Sequence, residues 1–293
     1  MPIHVLDAAM RRNIQPIIEL ALAEDLGTGD ITSATTIPAD AQGSAVLLSK
    51  ANGVLAGLPI AALVMESVDA RLVFRSLVTD GSVITHGERL AEIHGPARSL
   101  LSAERTALNF LQRMSGIATT TARYVQAIAG TGAIIVDTRK TAPGQRVLDK
   151  YAVRAGGGGN HRFNLSDGVL IKDNHIAAVG GIAAAIAAAH AGAPHTLKVE
   201  CEVESLEMAR QAVDAGADII MLDNMSLEEM RACVALIGGR ALTEASGGIT
   251  FERVRAIAEC GVNLISIGAL THSVIALDIS LDYEHSPNFN LSP

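Results

Sequence analysis

Between residues 137 and 172 an acidic chain turns basic. Arg139, Lys140, Arg146, Lys150, Arg154, Arg162 and Lys172 face only three Asp in that window, although the whole chain carries a formal net charge of -8. Four consecutive glycines, Gly156 to Gly159, interrupt the run. Guanidinium forks such as those of Arg139 and Arg162 suit bidentate capture of carboxylate or phosphate, and Lys140 and Lys172 add point charges. The chemistry indicated is the gripping of a small, strongly charged anion. A broad nucleic-acid surface is disfavoured by the pI of about 5.6, and 3% aromatic residues with no Trp leave little for bases to stack on.

Further groups fit the same chemistry. Glu202 and Asp223 end two neighbouring apolar runs, and paired carboxylates there can hold Mg²⁺, bind sugar hydroxyls or stabilise a developing cation. A salt-bridged interior, with Lys198 or Lys172 compensating, is the alternative. "SGGIT" (246–250) places two glycines at the mouth of a helix starting near Thr250, where backbone N–H groups can approach a phosphate. "IGALTHS" (267–273) is a second small-residue turn of the same kind. Lys172 follows Val169-Leu170-Ile171, which also admits Schiff-base chemistry as in an aldolase, but such a site does not call for Arg139, His161 and Arg162 as well. Plainer roles suit the rest: Cys201 as packing, His190 and His195 as surface residues, Lys150 and Arg154 on a solvated helix face, and Arg105 at a helix edge beside Glu104.

The elements that must hold these groups change character along the chain. Up to about residue 112 the pattern is mixed: helices over 10–25 and 58–68, short strand-like runs between them, and a long helix from Arg98. From residue 133, apolar strands at 133–137, 168–172, 196–203, 217–223, 241–246 and 263–268 alternate with helices, the grammar of a parallel sheet. In "TLKVECEV", Lys198, Glu200 and Glu202 alternate with Val199, Cys201 and Val203, which favours a barrel strand with charges inward. The expected fold is α/β: an N-terminal α+β sandwich domain over 1–112, to which the tail 271–293 returns, and an incomplete, open β/α barrel over 113–270. In such barrels the working residues sit at the C-terminal strand ends. The start lacks the apolar core of a signal peptide, the Ala-rich stretch 177–193 is too broken to span a bilayer, and Cys201, Cys233 and Cys260 lack CxxC spacing, so a cytoplasmic protein is expected.

"EDLGTGDITS", "ERTALNFLQRMSGIAT", "DTRKTAPGQR", "KYAVRAGGGGNHR", "LIKDNH", "ADIIMLDNM" and "EASGGI" occur in an order and spacing that resembles the quinolinate phosphoribosyltransferases, over about residues 15 to 280. Mild departures are Ala142 where Thr is frequent, Gln145 where Leu is common, and Phe163-Asn164 after the NHR.

That resemblance implies de novo NAD synthesis: quinolinate and phosphoribosyl diphosphate give nicotinate mononucleotide, diphosphate and CO₂, with Mg²⁺ and no organic cofactor. It places Arg105, Arg139, His161, Arg162 and Lys172 around quinolinate, with Thr138 and Lys140 beside them. Glu202 and Asp223 would meet the ribose or its metal, and Ser246-Gly247-Gly248 with Ile267-Gly268-Ala269 the phosphate. Lys140, Lys172, Glu202 and Asp223 would carry the catalytic roles. The resemblance further implies at least a homodimer, Arg105 being supplied in trans, with no nucleic acid or membrane partner. A nicotinate phosphoribosyltransferase, a molybdenum-transport-associated paralogue and a non-catalytic ligand sensor are the alternatives.

Overall fold

A computed structural model describes residues 7–284. The chain runs α1 (Ala8–Leu26), α2 (Ile31–Thr36), β1 (Gln42–Ser49), β2 (Gly53–Val54), α3 (Leu58–Val68), β3 (Val73–Ser76), β4 (Val83–Ile84), β5 (Arg89–Pro96) and α4 (Ala97–Ala127). It continues through β6 (Ile134–Val136), α5 (Arg146–Ala155), β7 (Val169–Ile171), α6 (Asp173–Val179), α7 (Ile182–Gly192), β8 (Val199–Val203), α8 (Leu206–Asp214) and β9 (Ile219–Asp223). The last elements are α9 (Leu227–Ile237), β10 (Leu242–Ser246), α10 (Phe251–Ala258), β11 (Leu264–Ser266), α11 (Ala269–His272) and β12 (Ile279–Glu284). They form two compact units. Of the described residues, the first takes those up to Thr120, Ala142–Gly157 and Val274–Glu284; the second takes Thr121–Thr141 and Gly158–Ser273. The segment 142–157, which the sequence places with the barrel, thus clusters with the first unit, and residues 285–293 of the expected tail lie outside the described residues.

In the first unit a four-stranded antiparallel sheet has the order β12-β1-β5-β3. Leu47 of β1 pairs with Ala91 on one side and Leu281 on the other. Ile14, Ile18 and Leu22, one helical turn apart, bury one stripe of α1. Asp7 starts that helix by accepting the N–H groups of Ala9 and Met10 at 2.9 and 2.7 Å, and Gly27 ends it at φ 51°. The short α2 has no sequence forecast. Asp30 makes it, accepting the Ser33 N–H at 2.9 Å.

Helix α5 corrects one expectation. Lys150 is fully buried, not solvated, and Asp149 and Tyr151 are buried on either side of it. Such burial is tolerable only where polar groups find partners. Arg113 grips Asp149 through Nε and Nη2 at 3.1 and 2.9 Å, and Tyr151 donates its hydroxyl to Asp80 at 2.7 Å. Arg154, by contrast, is exposed as expected.

The second unit is an open β/α barrel. Its six parallel strands have the order β6-β11-β10-β9-β8-β7. β6 and β7 are consecutive in the chain yet stand at opposite ends of that order, as an unclosed barrel requires. Residues of both edges, Val136 and Val169, nevertheless line one interior cavity with Glu200 and Glu244 from the middle strands. Side-chain caps keep the strand-to-helix loops short: Ser205 accepts the Met208 N–H, and Ser226 and Glu229 cap α9 reciprocally. Gly180 and Gly181, at φ 84° and 149°, break the Ala-rich stretch into α6 and α7. Among the described residues no single helix is long and apolar enough to cross a membrane; α6 and α7 would suffice together but bend by 93°.

Candidate active site

The C-terminal ends of the barrel strands surround a cavity of about 460 Å³. Thr138, Arg139, Lys140, His161, Arg162, Lys172, Glu202, Asp223, Ser246, Gly247 and Gly248 all line it. The basic window and the two carboxylates, far apart in sequence, therefore share one chamber. Ile267, Gly268 and Ala269 do not line it. Ile267 is buried and spends its N–H on Val136 O at 3.0 Å, holding β11 to β6. Gly268 serves by having no side chain, since a Cβ there would stand 2.8 Å from Lys140 Cδ. Arg105 is exposed on α4, in the first unit, and lines no part of the cavity.

Each group is held locally. The Thr138 hydroxyl accepts the Lys140 N–H at 3.0 Å, and Thr271 donates its hydroxyl to Lys140 O at 2.8 Å, fixing the strand end that presents the lysine. Buried Asp137 takes the His161 N–H at 2.9 Å and an Asn160 amide N–H at 2.6 Å, tying the segment after the glycine run to β6. Arg162 Nη1 donates to Gly168 O at 2.8 Å. Burial and the neighbouring charge of Arg139 lower the Arg162 pKa, while the carboxylates of Glu200 and Asp167 oppose that shift. Two like charges crowded together are stabilised when an anion arrives between them.

Lys172 Nζ donates to Glu202 Oε2, so the compensating pair contemplated from sequence is Lys172 with Glu202. Asp223 Oδ2 accepts from the Asn224 side chain at 2.7 Å. Asn224 is a residue to which the sequence reading gave no role. It sits at φ 55° and packs so closely on Gly247 that a Cβ there would lie 2.2 Å from its Oδ1. An Asn directly after a strand-ending Asp was the available signal, because Asn tolerates the left-handed region better than most residues. The Phe163-Asn164 departure lies in a loop closed by Asp167, which accepts both of their N–H groups at 2.7 and 2.9 Å. Cys201 is fully buried, and burial with the charges of Glu202 and Glu200 pushes its thiol up to about 11, which fits packing and not nucleophilic chemistry.

Below the chamber lies a second cavity of about 460 Å³, which shares His161 and Arg162 with the first. Glu200 and Glu244 line it, almost wholly buried. Burial, then the adjacent Glu200 charge, pushes the Glu244 carboxyl up to about 7.

Two domain models match: Quinolinate phosphoribosyl transferase, N-terminal domain, over residues 30–115, and its C-terminal domain over residues 117–282. The chain belongs to the quinolinate phosphoribosyltransferase family. The "Probable nicotinate-nucleotide pyrophosphorylase [carboxylating]" of Bacillus subtilis (strain 168) is 48% identical over 88% of this chain and 89% of its own length. A crystal structure of NadC from Streptococcus pyogenes is 46% identical and superposes with a TM-score of 0.90, covering 94% of this chain and 98% of that one. The nicotinate-nucleotide pyrophosphorylase structure from Francisella tularensis gives 0.91 at 39% identity, over 97% and 99% of the two chains. The quinolinate phosphoribosyltransferase fold thus accounts for both units, the antiparallel sheet domain and the open barrel.

Proposed function

We propose that this chain transfers the phosphoribosyl group of phosphoribosyl diphosphate to quinolinate with decarboxylation, yielding nicotinate mononucleotide, diphosphate and CO₂ for de novo NAD synthesis. The observation that carries the reading is the convergence of Arg139, Lys140, Arg162 and Lys172 with Glu202 and Asp223 on one chamber rimmed by Ser246-Gly247-Gly248. Quinolinate brings two adjacent carboxylates and the co-substrate brings phosphate and diphosphate. Their mutual repulsion in one cavity is offset by those cations.

The pyridine nitrogen is itself the nucleophile. Its lone pair forms the bond to ribose C1 while the C1–O bond breaks and its electrons leave with diphosphate. Glu202 and Asp223 stabilise the positive charge that develops at C1, and Lys140 and Lys172 the charge on the departing group. The arginines hold the ring nitrogen in line with C1, so positioning supplies most of the acceleration. The ribosylated pyridinium then draws electrons, the C2–carboxylate bond breaks to release CO₂, and the pair left at C2 takes a proton from water. Glu202 and Asp223 offer the hard oxygen donors that Mg²⁺ takes alongside water and substrate phosphates, and that ion would screen the diphosphate. No organic cofactor enters the scheme.

Arg105, exposed and outside the chamber, fits delivery to a second copy's site in a homodimer. The three cysteines are unpaired and buried, which supports a reducing, cytoplasmic setting. One assay tests the activity: quinolinate labelled in the 2-carboxyl group, with phosphoribosyl diphosphate and Mg²⁺, releases labelled CO₂, and omitting the ribosyl donor stops it. Release that ignores the donor, or none with all components present, overturns the reading.

A further inference from the structure

Glu200 and Glu244 stand one layer beneath the chamber, and the proposed reaction gives them no task. His161 lies between them and the chamber. Its Nε2 is 3.2 Å from Glu200 Oε2 and 3.7 Å from Glu244 Oε1. On the opposite side of the ring, Nδ1 accepts the backbone N–H of Arg162 at 2.7 Å. A ring nitrogen that accepts carries no proton, so the single N–H of the neutral imidazole resides on Nε2 and is donated to Glu200. The same two contacts exclude the other states of the ring. An imidazolium would need a proton on Nδ1. A cation held by His161, Glu200 and Glu244 would need lone pairs on both nitrogens, an imidazolate.

Both ring nitrogens of His161 have neighbours within the protein. What it controls is the residue beside it. The Arg162 backbone is fixed by Nδ1, and one end of its guanidinium by Gly168 O at 2.8 Å. The other tautomer would set an N–H of the ring against the N–H of Arg162.

We infer that Glu200 is a positioning residue: by accepting from Nε2 it holds His161 in the one tautomer that binds the Arg162 backbone, and so aims the guanidinium at the chamber. The inference rests on the reading above that Arg162 grips quinolinate. Glu200→Met keeps the length and removes the acceptor, whereas Glu200→Gln keeps an acceptor oxygen and removes the charge. The quinolinate KM rises about tenfold in the Met variant, the worth of roughly one charge-assisted hydrogen bond. Its kcat and its KM for phosphoribosyl diphosphate stay near wild type, and the Gln variant recovers most of the loss. A wild-type quinolinate KM in Glu200→Met, or a Gln variant as impaired as the Met one, overturns the inference. Should the Met variant fail to fold, ¹⁵N-histidine NMR of the wild-type protein still tests it, the His161 signals being assigned by their loss in His161→Gln. A bare Nδ1 and a protonated Nε2 are expected; a proton on Nδ1 refutes it. If Arg162→Ala itself leaves quinolinate affinity unchanged, the functional reading fails instead.

Discussion

Replacing Glu244 by Gln should change how stability depends on pH more than it changes stability at any one pH. The carboxyl is 1% exposed and, with Glu200 beside it, is pushed from 4.5 to about 7. In the unfolded chain it loses its proton near the lower value. Between the two values the folded protein therefore binds the extra proton, and stability falls as pH rises, levelling off above 7. The separation of about 2.5 pH units, at about 1.4 kcal/mol each, gives a full loss of about 3.5 kcal/mol, of which about 2.5 kcal/mol falls between pH 5 and pH 8. Gln has no proton to release, so its curve lacks this fall, while titrating groups remote from Glu200 and His161 contribute to both proteins and cancel. Urea unfolding at pH 5 and pH 8, at one fixed protein concentration, measures the gap. The variant should gain about 2.5 kcal/mol on the wild type between those two conditions. Parallel curves, with the gap constant to within about 0.5 kcal/mol, would refute the reasoning.

Arg139→Ala and Arg162→Ala should each weaken quinolinate binding by about 1.5–3 kcal/mol through lost charge-assisted hydrogen bonds; calorimetry showing wild-type affinity removes that residue from the site. Gly247→Ala puts a Cβ 2.2 Å from Asn224 Oδ1 at φ 78°, a strain of about 1–3 kcal/mol. Its KM for phosphoribosyl diphosphate should rise while quinolinate still binds, and an unchanged KM contradicts the rim's assigned role. Mixing Arg105→Ala subunits with Lys172→Ala subunits should restore activity to each inactive parent, because one site per mixed dimer is intact. A mixture as inactive as its parents counts against supply in trans.

The barrel was legible because its signal is local. Val199, Cys201 and Val203 alternate with Glu200 and Glu202 at a period of two, and the structure keeps that alternation, with both carboxylates lining interior cavities. The chamber was legible because barrel geometry gathers strand ends whatever separates them in sequence. Lys150 was not, since the enclosure of α5 depends on remote partners such as Asp80 for Tyr151. The sheet bond that Ile267 makes depends on strand order, which local sequence does not show: its N–H goes to a strand from the other end of the barrel segment. Helix α2 is too short to leave a periodic pattern and begins with β-branched Ile31-Thr32, so its signal lies in the Asp30 cap alone. The resemblance places His161 around quinolinate, whereas its neighbours Glu200 and Glu244, on β8 and β10, come from remote sequence that no local pattern joins to it.

Strand β12 completes the first sheet by pairing along β1 from Ser44↔Glu284 to Ser49↔Ile279. On the ribosome β1 emerges early, and its outer edge stays without that neighbour until the whole barrel has been translated. An uncovered edge of this kind invites pairing with other nascent chains. The amino-terminal half of the protein therefore matures last, and a stop codon placed just before Ile279 would leave every barrel strand intact yet deliver a sticky, unfinished sheet.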